Sequence, residues 1–166
     1  MRLLSLLSVS LVFGLISPVQ ADTVTTAKAV PFAEGSGATD AVKKECKFET
    51  RLPEYLRNYA KKKVEVVLSM DPLENAGGKV LYLETTRVFA PGGGGYSGTK
   101  QAAVHGVLKE NGEVIGSFDI SRAAIFGMTP GTCSMLKRVA KKLGEEIAAW
   151  LVAPTMGAQL GDLATT

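Results

Sequence analysis

The pair Asn111-Gly112 stands between two runs of β-forming residues, 100–108 and 114–126. Both residues accept the positive φ angles of a type I′ turn, so the two runs are expected to fold back on each other as a hairpin. In a plain two-residue hairpin Val107 faces Gly116 and His105 faces Phe118. A sheet built on such a hairpin has an apolar face to bury, and the rest of the chain must supply the cover.

Residues 132–151 can do so. Leu136, Val139, Ala140, Leu143, Ile147 and Leu151 recur at helical spacing, with Lys137, Arg138, Lys141, Lys142, Glu145 and Glu146 between them. This predicts an amphipathic helix, capped by Thr132 or Ser134 and stopped by Pro154, in which Gly144 allows close packing on the sheet. Residues 40–63 read as a broken helical region. Thr39 or Asp40 caps a first turn toward Cys46, and Thr50 caps a second start that leaves Pro53 in its early turns. Leu52, Leu56 and Tyr59 then share one stripe. Lys61, Lys62 and Lys63 close the helix where positive charge suits its dipole, and the run reads as a solvated end rather than a binding patch. Residues 64–70 and 79–90 are β-prone, separated by Asp71-Pro72 and a turn over 74–78, and 24–30 is a possible opening strand. The order (β)αβββα predicts an α+β fold. It is a two-layer sandwich, with a three- to four-stranded, mainly antiparallel sheet carrying two helices on one face.

The first 21 residues limit the compartment. Arg2 precedes an apolar stretch over 3–16, and Val19-Gln20-Ala21 places small residues where a signal peptidase cuts. A cleaved leader over 1–21 is expected, then one domain over 22–153 and a loose tail over 154–166. No cysteine stands at the cleavage site, so a lipid anchor there is not expected. No later stretch offers the roughly 20 apolar residues of a membrane span. The two cysteines, Cys46 and Cys133, both lie in the exported part. In an oxidising compartment they most simply pair, closing a loop worth about 4 kcal/mol in the chain-entropy account. A zinc site would want four ligands, and His105 is the only histidine. No C-x-x-C motif supports redox work.

Little else in the chain points to chemistry. Net charge is a modest +3, which does not mark a nucleic-acid binder. The loop 91–100 ends in Gly98-Thr99-Lys100, but a phosphate loop needs Gly-Lys before Ser or Thr and opens a helix, whereas this one runs into a strand. The plain reading of the loop is a strand connection without fixed structure. The alternative is a contact loop, with Gly94, Gly95 and Tyr96 meeting a partner. His105 has no recognisable nucleophile or acid partner. Glu65, Glu84, Glu113 and Asp119 read as solvated strand positions, Arg87 and Arg122 as cations for an anionic ligand or for those acids, and Trp150 as a core or edge plug. No catalytic residue, metal ligand or cofactor site is assigned.

The stretch 94–150 combines the glycine loop, Val104-His105-Gly106-Val107-Leu108, Glu110-Asn111-Gly112-Glu113-Val114-Ile115 and the closing helix. It resembles a family of small bacterial envelope proteins that share the strand, hairpin, strand and terminal helix of the TolB amino-terminal domain. The resemblance implies a periplasmic, non-catalytic domain that works through protein contacts, and it carries over no ligand residue. The expected function is binding of another envelope component, protein or polymer. A small apolar or lipid ligand between helices and sheet, or inhibition of an exported hydrolase, are the alternatives.

Overall fold

A computed structural model of the chain describes residues 22–125 and 131–164, and the expected leader lies outside them. The elements are β1 (Asp22–Ala27), α1 (Phe48–Ala60), β2 (Val64–Ser69), β3 (Lys79–Phe89), β4 (Lys100–Glu110), β5 (Glu113–Ala124), α2 (Thr132–Trp150) and β6 (Ala158–Gly161). A helical turn at Val42–Cys46 precedes α1.

The fold is α+β, but the sheet differs from the expected one. It has six strands in the order β2-β1-β3-β4-β5-β6. β3, β4 and β5 are antiparallel, while β1 runs parallel to both β2 and β3, and β6 runs parallel to β5. The sequence reading paired β2 with β3 because only a short turn joins them. Instead β1 lies between them. β2 ends opposite Ala27 and β3 begins opposite Val24, so the connection 70–78 has only a few residue rows to climb back. The segment expected to be a loose tail supplies β6. Its Gln159 pairs with Asp119, and Arg122 and the Ala123 amide hold Asp162 just beyond it.

Both helices lie on one face. Phe48, Leu52, Leu56 and Ala60 of α1 and Leu136, Val139, Ala140, Leu143 and Ile147 of α2 are buried with Val24, Val66, Leu81, Leu83, Val104, Leu108, Phe118 and Ile120 of the sheet. The α2 stripe is the expected one. On α1 the last buried position is Ala60, not Tyr59: Phe48, Leu52, Leu56 and Ala60 recur every four residues on the inner side, and the helix starts at Phe48 rather than after a Thr50 cap. Thr50 Oγ1 instead donates to the Lys47 carbonyl. Pro53 therefore sits inside the helix, where it cannot donate to the carbonyl of Glu49. That carbonyl accepts the Val30 amide at 2.9 Å, so the loop after β1 makes good the missing helical bond.

The helices also pack on each other, and Gly144 serves this contact rather than contact with the sheet. A Cβ at 144 would stand 2.8 Å from the Leu56 amide nitrogen and from the Tyr55 Cβ. Cys46 and Cys133 form the expected disulfide, with Cα atoms 4.7 Å apart, and it joins the starts of the helical regions. On the sheet, Phe118 occupies the place a side chain at Gly106 would take, with ring carbon Cζ 2.2 Å from the ideal Cβ. Trp150 then meets Phe118 edge-on at 4.7 Å and is 7% exposed, which is the expected plug.

Two outcomes follow from this packing. Gly144→Ala gains helix propensity of about 1 kcal/mol but overpacks a rigid contact costing about 1–3 kcal/mol, so urea unfolding should show a net loss. Cys46→Ser/Cys133→Ser, in the same assay, should lose about 2–5 kcal/mol while keeping the far-ultraviolet circular dichroism of the native protein.

Candidate functional site

With both helices on one side, no described helix covers the other face of the sheet. The β4 alternation sets the division: Lys100, Ala102, Val104, Gly106 and Leu108 point to the helices, and Gln101, Ala103, His105, Val107 and Lys109 point outward. The Asn111-Gly112 turn forms as expected, with Asn111 at φ 51° and Gly112 at φ 91°. The register beyond it does not. Lys109 pairs with Val114 but Leu108 pairs with Gly116, so Ile115 is an extra residue in β5. A bulge of this kind shifts every later pair by one. Val107 therefore faces Ser117, and His105 faces Asp119 in place of Phe118.

This shift assembles a polar row across the open face. Glu84, His105, Asp119 and Gln159 are successive neighbours on β3, β4, β5 and β6. His105 Nδ1 lies 2.9 Å from Asp119 Oδ1, and Gln159 Nε2 donates to Asp119 Oδ2 at 3.5 Å. Above the row, Gln101 Nε2 donates to Ser121 Oγ at 2.9 Å. Arg87, Gln101, Ala103, Asp119, Ser121 and Gln159 border a shallow depression of about 410 Å³. The bond to Asp119 is the only side-chain hydrogen bond of His105 among the described residues, and Ser117 Oγ accepts the Gly157 amide. A base–carboxylate pair is thus present without a hydroxyl set beside the imidazole. Among the described residues no group of three His, Cys, Asp or Glu side chains could hold a metal ion.

The two arginines separate. Arg122 pairs with Glu146 of α2 and with Asp162, 2.7 Å away. Hydrogen bonding to Glu146 is the main cause that raises its pKa above the usual guanidinium value, so it works as a clamp between β5, α2 and the segment after β6. Arg87 lies exposed beside the depression. Of the remaining carboxylates, Glu65 accepts a weak bond from Thr23 Oγ1, and Glu113 is exposed at the hairpin turn.

The glycine loop contains a defined turn. Gly94–Ser97 form one 3₁₀ turn, flanked by Gly93 at φ 89° and Gly98 at φ 86°. Beneath it Lys100 is fully buried at 0% exposure. Its Nζ donates to Ser97 Oγ at 2.8 Å and to the Gly98 carbonyl at 3.0 Å. Ser97 Oγ donates to the Pro91 carbonyl, and so does Thr132 Oγ1 from the start of α2, each at 3.2 Å. Thr132, expected as a cap, ties the loop to the helix instead. Tyr96 projects from this turn at 95% exposure, beside Gly94 and Gly95. The sequence signal for the anchor was the alternation itself: Lys100 shares the inward register of Ala102, Val104, Gly106 and Leu108.

No protein-family model and no curated protein matches the chain. Solved structures do. A Xanthomonas campestris protein of the family DUF330 superposes with a TM-score of 0.54 at 11% identity, covering 87% of this chain and 91% of that one. This likeness shows a shared fold. The PelC dodecamer from Paraburkholderia phytofirmans gives 0.47 at 18% identity, over 75% of this chain and 87% of that one. The minor lipoprotein from Acinetobacter baumannii gives 0.44 at 12% identity, over 80% and 94%. Among the described residues no helix is long and apolar enough to cross a membrane.

Removing the anchor should release the loop. In Lys100→Met the contacts to Ser97 and Gly98 are lost, and chymotrypsin should cut after Tyr96 at least several-fold faster, because local opening governs such cleavage. Circular dichroism should stay native.

Proposed function

We propose that the chain is an exported, non-catalytic domain that binds another component of the bacterial cell envelope. The contact surface is the projecting turn with Gly94, Gly95 and Tyr96. The observation that carries this reading is the buried Lys100 bonded to a turn whose Tyr96 is 95% exposed. Burying an ammonium group away from water is costly unless it is well bonded. Here its hydrogen bonds hold a surface turn, and that turn presents an aromatic side chain, the residue class enriched at binding surfaces.

Other features support the same setting. The leader over 1–21 reads as an export signal, and a structural disulfide suits an oxidising compartment such as the periplasm. The likeness to the TolB amino-terminal domain, noted from the sequence, belongs to the same proposal. Leu52, Leu81, Phe118, Leu143 and Ile147, all fully buried, fill the space between helices and sheet, which favours a macromolecular partner over an apolar ligand held there.

A photo-crosslinking residue in place of Tyr96, expressed in the native cell, should give a discrete adduct on irradiation. The same residue at Val67, exposed on the open sheet face, should give none. Equal labelling from both positions, or none from Tyr96, would remove this reading.

A further inference from the structure

The two layers of the fold carry opposite charge. The segments 40–63 and 132–150, which hold both helices, contain twelve lysines and arginines against six carboxylates. The rest of the described chain holds six against ten. A modest net charge thus conceals a helical face with a balance of plus six and a remainder of minus four. Two of the six helical carboxylates are already engaged, Glu145 by Lys142 and Glu146 by Arg122 of β5. The inner sides of both helices are buried on the sheet, so their cations emerge on the outer surface. Lys61, Lys62, Lys137, Arg138, Lys141 and Lys142 are all exposed.

We propose that this helical face docks on the headgroup surface of an anionic phospholipid membrane. The proposal rests on the exported location inferred above but not on the Tyr96 turn. Charge complementarity selects an anionic partner: clustered lysines and arginines are drawn to a negatively charged lipid surface, and the attraction decays within a Debye length. Shape and composition select a membrane over a soluble polyanion. The cations are spread over two helices lying side by side, and α1 alone, with 13 residues, is about 20 Å long. Apolar and amphipathic groups stand among them. Tyr59 is 39% exposed and shares a groove of about 530 Å³ with Arg138, Lys141 and Lys142, and Ile125 at its rim is 77% exposed. A headgroup layer accepts both a phenol and an aliphatic chain beside cations, whereas a hydrated polyanion makes no use of them. The Lys61–Lys63 run, read from the sequence as a solvated helix end, is part of this face.

The test is co-sedimentation of protein starting at Asp22, where β1 begins, with vesicles. Binding is expected to vesicles of phosphatidylethanolamine containing phosphatidylglycerol, not to phosphatidylcholine alone, and it should fall steeply with added salt. Lys62→Gln/Lys141→Gln should weaken it about 25-fold, from about fivefold per cation near the surface. Arg87→Gln/Lys109→Gln removes the same net charge from the open sheet face, on the other side of the molecule, and should leave binding within about twofold, because screening confines the effect to charges near the lipid. Equal losses in the two variants would trace binding to net charge and overturn the proposal. So would absence of binding to anionic vesicles, or capture by soluble polyphosphate without capture by vesicles. These outcomes leave the Tyr96 crosslink untouched, so the two readings fail separately.

Discussion

Parallel pairing at the two ends of the sheet is the constraint on which the architecture depends. A strand cannot return parallel to its neighbour by a tight turn; the chain must cross one face of the sheet first. β1 reaches β2 through α1, and β5 reaches β6 through α2, so each helix is a crossover. Both crossovers use the same face. One side of the sheet is therefore packed with Leu and Phe side chains under helices, and the other is left to His105, Asp119, Arg87 and their neighbours. The separation of charge has the same origin. Cations between the apolar positions of an amphipathic helix have nowhere to go but outward, away from the sheet.

One end of the molecule gathers the restraints on the glycine turn. The disulfide joins Cys46 to Cys133 in the first turn of α2, and the adjacent Thr132 bonds to Pro91 at the base of the glycine turn. Lys100 then holds the turn from below. A covalent link, a helix start and a buried ammonium thus restrain one short segment of backbone. None of the three is part of the turn itself.

The legible parts were those governed by local chemistry. The α2 stripe, the Asn111-Gly112 turn and the Trp150 plug could be read because spacing, turn preference and size each act over a few residues. The disulfide was also legible, since two cysteines behind an expected export signal leave few other choices. The His105–Asp119 pair was not. It depends on Ile115 bulging out of β5, and Gly116, which in a strand marks either a bulge or a close approach such as that of Trp150, does not tell which. A one-residue slip there exchanges Phe118 for Asp119 opposite the histidine. Lys100 was within reach, because its inward parity on β4 could be counted, yet parity alone does not reveal that Ser97 and Gly98 accept its hydrogen bonds.

The sequence alone determined the α+β class, the covalent link between Cys46 and Cys133 and the amphipathic character of both helices, because each follows from residue type and short spacing. Only the tertiary structure decided that β1 inserts between β2 and β3, that the segment after α2 adds a sixth strand, and that Pro53 sits inside a helix whose free carbonyl takes the Val30 amide. Those outcomes join residues far apart in the chain. Backbone hydrogen bonds carry no residue identity, so which strand lies beside which is settled by the burial of the whole core at once.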